Sequence, residues 1–295
     1  MPLAPIGDLM RAAQAGKYAV GYFESWNLES LLGVIDAAEQ AESPVIIGFN
    51  GEFMSSRSRV APERLEWLGA LGRTAAENAS VPCGFIFNEC PLDDWVRRAI
   101  TAGFNLVMPI PAEGEADSVY AGRTRAIAAL AHEHGVAVEA ELGTLPFGAA
   151  GGGEATDPQQ AAAFVAETGI DLLAISAGNV HVLLEGRRSL DLERIAALCR
   201  LVSAPLVLHG GTGIDDESLR QAIRIGVAKV NYGTVLKQAY LRAVRAALDT
   251  EEANPHELLG MGGAADVMVA GRLAVRDAVL DKMQVLGCVG RATHG

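Results

Sequence analysis

Eight short apolar segments alternate with amphipathic segments along this chain, and this alternation constrains the fold more than any other feature. The apolar segments have the length and composition of strands that are buried on both faces. The segments between them carry apolar residues at helical spacing, and several end in glycine. The predicted strands are AVGYFE (19–24), VIIGFN (45–50), CGFIFN (83–88), NLVMPI (105–110), AVEAEL (137–142), LLAISA (172–177), LVLHGG (206–211) and KVNYGT (229–234). The clearest predicted helices span 28–41, 121–135, 157–169 and 215–226.

Strict strand–helix alternation predicts a parallel sheet, and eight strands are the number that closes a (β/α)8, or TIM, barrel. We therefore expect one barrel domain over residues 1–295, with a helical extension from about residue 249 packed outside the barrel. The alternative is an open doubly wound sheet. Against it, no G-x-G-x-x-G motif follows the first predicted strand, and no change in composition divides the chain.

Composition and charge narrow the class of partner. Half of the residues are hydrophobic, which predicts a large core, and the formal net charge of −12 disfavours a nucleic-acid or anionic-membrane partner. A small anionic ligand remains compatible with this charge, because backbone N–H groups can bind it. Four scattered cysteines without a CxxC pair, and the lack of a signal peptide or membrane-length apolar run, predict a cytoplasmic protein with reduced thiols.

Polar residues cluster at the ends of the predicted strands, where barrel enzymes carry their active sites. Burying so many polar groups is costly unless they bind a ligand, the alternative being a plug of mutually satisfied side chains. These residues are Glu24 and Asn27, Asn50, Asn88 and Glu89, Glu141, Asn179 and His181, His209, and Asn231 and Thr234.

Two histidines lie near the ends of the sixth and seventh predicted strands, at His181 and His209. Because neighbouring strands lie about 4.8 Å apart, two imidazoles at this level can share one divalent ion. His132 and His134 fall within a predicted helix and are expected at its surface.

Two glycine-rich turns lead into helices after the seventh and eighth strands: LHGGTG (208–213) and NYGT (231–234). Backbone N–H groups at a helix start bind anions, and these two loops form a common phosphate site in this fold. A third glycine-rich loop, 143–158, contains Glu154 and follows directly on the fifth strand. We interpret it as a mobile lid, the alternative being a plain connector.

Five segments together resemble the class II, metal-dependent fructose-bisphosphate/tagatose-bisphosphate aldolase family, from about residue 8 to the end of the chain. They are SPVIIGFN (43–50), VEAELGTL (138–145), TGIDLLAISAGNVH (168–181), PLVLHGGTGI (205–214) and IGVAKVNYGT (225–234). LGCVGRA (286–292) matches more loosely.

The resemblance implies that His181 and His209 ligate Zn²⁺ or another divalent cation, with Glu141 close to the metal. It also implies that Glu154, in the mobile loop, is the acid/base carboxylate. The family forms homo-oligomers, so the resemblance implies a dimer or a tetramer.

The resemblance further implies a sugar-phosphate substrate. Asn231 falls on the asparagine that contacts the dihydroxyacetone-phosphate part, and Arg291 on a basic residue that reaches a substrate phosphate, sometimes across a dimer. The phosphate-binding segments correspond to Gly210, Gly211, Thr212, Gly233 and Thr234.

The third strand departs from the family pattern, which has His-Leu-Asp-His at its end. Here Asn88 replaces the proton-donating aspartate and Glu89 replaces the third histidine ligand. A glutamate can ligate zinc, whereas an asparagine cannot transfer a proton as an acid does. An alignment shifted by one residue would instead make Glu89 the acid and Cys90 the ligand.

Other departures lie near the start of the chain and in the predicted phosphate-binding segments. Glu24 replaces an asparagine, Gly233 replaces an aspartate, and Val182 replaces a glycine whose N–H reaches phosphate, without the lysine that the family has after it. These changes predict a substrate other than fructose 1,6-bisphosphate.

We therefore predict a metal-dependent aldolase that cleaves or forms a carbon–carbon bond in a phosphorylated ketose, through a dihydroxyacetone-phosphate-like enediolate. The candidate catalytic positions are Glu154, Glu24 and Asn88, with Glu89 as a further carboxylate. The alternatives are a metal-dependent isomerase or epimerase of a sugar phosphate, and a sugar-phosphate-binding protein without catalysis.

Overall fold

The computed structural model describes residues 3–146, 153–180, 183 and 185–292. The predicted metal ligand His181, its neighbour Val182 and the middle of the predicted lid lie outside the described residues.

Eight parallel strands, β1 to β8, form a closed barrel in chain order, which confirms the predicted (β/α)8 fold. Every residue of most strands is buried, because the inner face fills the barrel and the outer face meets the helices. The strands are Val20–Ser25, Val45–Asn50, Cys83–Cys90, Leu106–Pro109, Ala137–Leu142, Leu172–Ile175, Leu206–Leu208 and Val227–Tyr232.

Helices surround the barrel, and several begin at a side-chain cap that the sequence provides. Asn27 accepts from the backbone of Ser30 in a capping box, and the side chains of Asp157 and Asp215 accept from backbone N–H groups at the starts of later helices. In chain order, the helices α1 to α12 are Ile6–Gly16, Leu28–Gln40, Gly51–Ser55, Leu65–Asn78, Asp93–Ala102, Asp117–Glu133, Pro158–Thr168, Leu192–Leu201, Asp216–Ile225, Thr234–Leu248, Pro255–Leu258 and Val267–Leu286.

The last long helix, α12, packs on the outside of the barrel against α2 and α10. Gly33 on α2 permits this close approach, because any Cβ there would lie 2.6 Å from the carbonyl oxygen of Arg272. Arg272 also donates two hydrogen bonds to Asp36, at 2.6 and 2.7 Å. The helix thus covers the junction between the first and last barrel units.

Within the described ranges, no helix is both long and apolar enough to span a bilayer.

Candidate active site

A cavity of about 460 Å³ opens at the carboxyl ends of the strands, and we call it the first cavity. Its lining contains most of the predicted site residues that the structure describes. The lining residues are Tyr22, Glu24, Asn50, Glu52, Phe53, Asn88, Glu89, Gly210, Thr212, Asn231, Tyr232, Gly233, Thr234 and Lys237.

His209 is buried directly after β7 and is held by carboxylates at both ring nitrogens. Its Nε2 lies 3.0 Å from Glu139 Oε1, and its Nδ1 lies 3.0 Å from Glu89 Oε1 and 3.8 Å from Glu141 Oε2. Burial alone lowers the pKa of His209, but the hydrogen bonds to Glu139 and Glu89 outweigh it and raise that pKa to about 10. The surroundings of His209 therefore favour positive charge at this point.

Glu139 is fixed in turn by a buried lysine. Lys229 Nζ donates to Glu139 Oε2 at 2.7 Å and to Asn231 Oδ1 at 2.6 Å. Burial raises the pKa of Glu139, but Lys229 and His209 outweigh this effect and lower it, so the carboxylate is ionised. We name this connected set Glu139, His209, Lys229 and Asn231 the inner network.

Sequence reasoning did not select Glu139 or Lys229 as site residues. The available signal was that each of them is a charged residue in the middle of a buried strand. A charge buried in this way requires a partner of opposite charge.

Glu89 is set in an unusual backbone conformation, with φ at +53°, which non-glycine residues rarely adopt. Asn50 Nδ2 donates to Glu89 Oε2 at 2.7 Å, while Asn50 Oδ1 caps α3 by accepting from Phe53 N at 2.9 Å. The carboxylate is thereby directed at His209. Such local strain is typical of functional sites.

Cys90, the alternative ligand, lies elsewhere. Its Sγ donates to Leu92 O at 3.5 Å and lies 4.0 Å from Ser55 Oγ, and burial raises the pKa of its thiol to about 11. The side chain that contacts His209 from β3 is Glu89.

The donors around His209, an imidazole and carboxylates, are of types that a divalent cation accepts. His209 Nδ1 lies between the carboxylates of Glu89 and Glu141, and the opposite nitrogen bonds a carboxylate, as metal-ligating histidines commonly do. Among the described residues, no three His, Cys, Asp or Glu side chains form a ready-made cluster. His181, the other predicted ligand, is not among them.

Three buried side chains of the first cavity each present a polar atom that has no hydrogen-bond partner within the described residues. These atoms are Asn88 Oδ1, Asn231 Nδ2 and Tyr22 Oη. A buried polar atom without a partner costs about 1–3 kcal/mol. A bound ligand with hydroxyl and carbonyl oxygens would remove this cost.

The two predicted phosphate turns meet at the wall of the first cavity. Gly210 adopts φ of +66°, a conformation that favours glycine, and Thr212 Oγ1 accepts from Val235 N at 3.2 Å, which ties the first turn to the start of α10. Gly211 lies on the same turn, where any Cβ would approach the Tyr232 ring to 2.7 Å.

Lys237, which the sequence did not single out, also lines the first cavity. Its Nζ donates to Glu24 Oε1 at 2.5 Å and lies 4.4 Å from the centre of the Phe53 ring. Glu24 is thus ion-paired at the cavity wall. Only the structure reveals this pair, because its members are 213 residues apart in the chain.

Glu154 lies apart from these residues, on a second cavity of about 420 Å³ that it shares with Glu141. Its backbone N donates to Thr144 Oγ1 at 3.0 Å, and its side chain is exposed. Glu141 links the second cavity to His209, because its carboxylate lies 3.8 Å from His209 Nδ1.

Arg291 lies at the opposite end of the barrel. Its guanidinium is 5.7 Å from the centre of the Tyr18 ring, two residues before β1 begins. Within one chain it is therefore remote from the first cavity, and its role at a phosphate stays a prediction that requires a second chain.

A closed (β/α)8 barrel with a carboxylate-held histidine beside two glycine-rich turns has the architecture of a metal-dependent sugar-phosphate enzyme. The family model described as fructose-bisphosphate aldolase class-II matches residues 4–291. The chain belongs to this family, whose members are metal-dependent aldolases and therefore lyases.

Relatives align over nearly the whole chain. It is 34% identical to the Escherichia coli protein YdjI over 93% of this chain and 94% of that protein. It is 32% identical to fructose-bisphosphate aldolase of Geobacillus stearothermophilus over the full length of both. The crystal structure of the YdjI aldolase from Escherichia coli superposes with a TM-score of 0.83 at 33% identity, covering 99% of this chain and 100% of that one.

Proposed function

We propose that this protein cleaves or forms a carbon–carbon bond in a phosphorylated ketose, with Zn²⁺ or a similar divalent cation at His209. The observation that carries the proposal is His209, fixed between Glu139 and Glu89. Glu89 lines the first cavity, whose wall also contains the two glycine-rich turns. The proposed reaction proceeds through a dihydroxyacetone-phosphate-like enediolate.

The proposed metal ligands are His209, Glu89 and Glu141, with His181 as a further ligand. A divalent ion there supplies Lewis-acid polarisation of the ketose carbonyl. Glu139 keeps the His209 ring in its ligating orientation, and Lys229 keeps Glu139 ionised.

The remaining residues of the first cavity bind and orient the substrate. Backbone N–H groups of the two turns hold the phosphate, and this fixes the reacting carbons relative to His209. Asn231 Nδ2 is a donor for a substrate oxygen, and Asn88 Oδ1 is an acceptor for a substrate hydroxyl.

Proton transfer is assigned to a carboxylate, because Asn88 has no acidic proton to give. Glu154 is the first candidate, since its loop borders Glu141. Glu24 is the second candidate, but its carboxylate is ion-paired with Lys237. We therefore expect it to remain charged rather than to transfer protons.

Metal content and turnover test the proposal together. Protein purified without chelator is expected to hold about one divalent ion per chain, and His209→Ala to lose it, because an imidazole ligand disappears. A panel of ketose phosphates is then expected to show cleavage by the wild type and none by His209→Ala. The matched control is His132→Ala, which removes an exposed surface histidine that pairs with Asp171. Equal metal content in the wild type and in both variants would contradict the proposal.

An isomerase or epimerase is the second candidate, and Asn88 favours it, because the proton donor expected for aldol cleavage is absent there. Such an enzyme would exchange substrate protons with solvent without releasing a fragment. Fragment release from any ketose phosphate on the panel would exclude it as the main activity.

A further inference from the structure

Lys237 lies beside the turn at which we propose that a substrate phosphate binds. It lies in the first turn of α10, which begins at Thr234, and helical side chains lean toward the amino-terminal end of their helix. Lys237 therefore extends back toward the Gly233–Thr234 turn rather than away from the cavity.

Glu24 confirms that Lys237 and the turn are adjacent. Its Oε1 accepts from Lys237 Nζ, and its Oε2 occupies the space into which any Cβ at position 233 would project. One carboxylate thus touches both the ammonium group and the turn. The ammonium group and a phosphate on this turn would be neighbours.

The charge of the first cavity requires such a cation. Among its described lining residues, Lys237 is the only lysine or arginine, whereas Glu24, Glu52 and Glu89 bring carboxylates. The lining is net negative even with Lys237, and without it no side-chain cation of the described lining would face a phosphate ester. Backbone N–H groups alone would then have to offset the repulsion.

Lys237 also retains capacity to bind a ligand. Its ammonium group carries three donors, and besides Glu24 it faces the rings of Phe53 at 4.4 Å and Trp26 at 5.8 Å. The rings hold the side chain in the cavity without using acceptor oxygens. In the same cavity, Asn231 Nδ2 is a buried donor for which the described residues provide no acceptor.

We propose that Lys237 binds the phosphate of the substrate, and that Glu24 holds Lys237 in place while competing with the phosphate for it. This inference rests on the proposed function only in its choice of a phosphate ester as ligand. The proposal places on α10 a cation that replaces the family's lysine, which this sequence lacks after Val182.

Direct binding of a phosphate ester tests the assignment without turnover. Calorimetry of metal-loaded protein with glycerol phosphate, which cannot undergo aldol cleavage, is compared with calorimetry with glycerol. Lys237→Met is expected to weaken glycerol phosphate binding by about ten- to a hundredfold, because a charge-assisted hydrogen bond is lost. Lys237→Arg is expected to restore most of the affinity.

Glu24→Gln distinguishes phosphate binding by Lys237 from a purely structural role of Lys237. Removing its negative charge frees Lys237, and glycerol phosphate is expected to bind at least about threefold more tightly. If Lys237 served only to neutralise Glu24, adding Lys237→Met to Glu24→Gln would not lower the affinity for glycerol phosphate. Lys17→Met, an exposed lysine before β1 at the other end of the barrel, is the control and is expected to bind as the wild type does.

The outcomes distinguish this inference from the proposed function. Wild-type affinity in a folded Lys237→Met variant would overturn the role of Lys237 and leave the aldolase proposal standing. Failure of the wild type to prefer glycerol phosphate over glycerol would overturn both the role of Lys237 and the phosphate site. The metal content of the same samples tests the metal site separately.

Discussion

One lysine–glutamate pair lies inside the barrel and another at its carboxyl end, and they differ in what surrounds them. Lys229 and Glu139, 2.7 Å apart, have side chains that are 0% exposed. Lys237 and Glu24, 2.5 Å apart, are 34% and 11% exposed at the wall of the first cavity. The inner pair is fully enclosed by protein, whereas the outer pair faces the first cavity.

The difference in burial assigns the two pairs different tasks. A buried charge that loses its partner cannot be solvated, so the inner pair is a fixed support for His209 and Asn231. Water or a ligand can replace either partner of the outer pair at small cost. The outer pair can therefore respond to a substrate, while the inner pair keeps the proposed metal ligand in place.

The largest expected effect comes from breaking the inner pair. Lys229→Met leaves Glu139 buried without its cation, and we expect a loss of about 3–5 kcal/mol in the free energy of unfolding. Denaturant unfolding of metal-free protein measures this. A loss below about 1 kcal/mol would show that the two pairs are energetically alike.

Glu139→Gln tests the link from the inner network to the metal. Weakening the hydrogen bond that orients His209 is expected to lower metal affinity by about ten- to a hundredfold. Competition with a chromophoric chelator measures this affinity. Glu154→Gln serves as the control, because its exposed side chain lies on the second cavity. An equal loss in both variants would argue against a specific role of the inner network.

Gly233→Ala tests the contact between the outer pair and the turn. The added methyl group collides with Glu24 Oε2, and displacing this flexible side chain is expected to cost about 1 kcal/mol of stability. In a Glu24→Ala background the cost is expected to disappear. Additive effects in this double-mutant cycle would mean that Glu24 does not occupy the space beside position 233.

The smallest effect on stability is expected from Lys237→Met. Because the outer pair is partly exposed, the free energy of unfolding should change by no more than about 1 kcal/mol. Thermal unfolding beside Lys229→Met compares the same substitution in both pairs. A loss as large as that of Lys229→Met would make Lys237 a structural residue.

The strands were predictable from sequence because burial on both faces leaves a local apolar signal. β2 and β5 have the predicted bounds, 45–50 and 137–142. β7 ends at Leu208, three residues before its predicted end, because Gly210 enters the left-handed region and the chain forms a 3-10 turn. β3 continues to Cys90 through an irregular register near Glu89, which no apolar pattern reveals.

The sequence by itself determined the barrel, the two glycine-rich turns and the candidacy of His209 and Glu89, because these depend on residues close together in the chain. Tertiary structure decided which charges meet. Closure of the barrel brings β8 beside β1, and so the start of α10 beside Glu24. It also separates Glu154 from the first cavity and places Arg291 at the opposite end. Such contacts join residues that are distant in sequence, and no local periodicity encodes them.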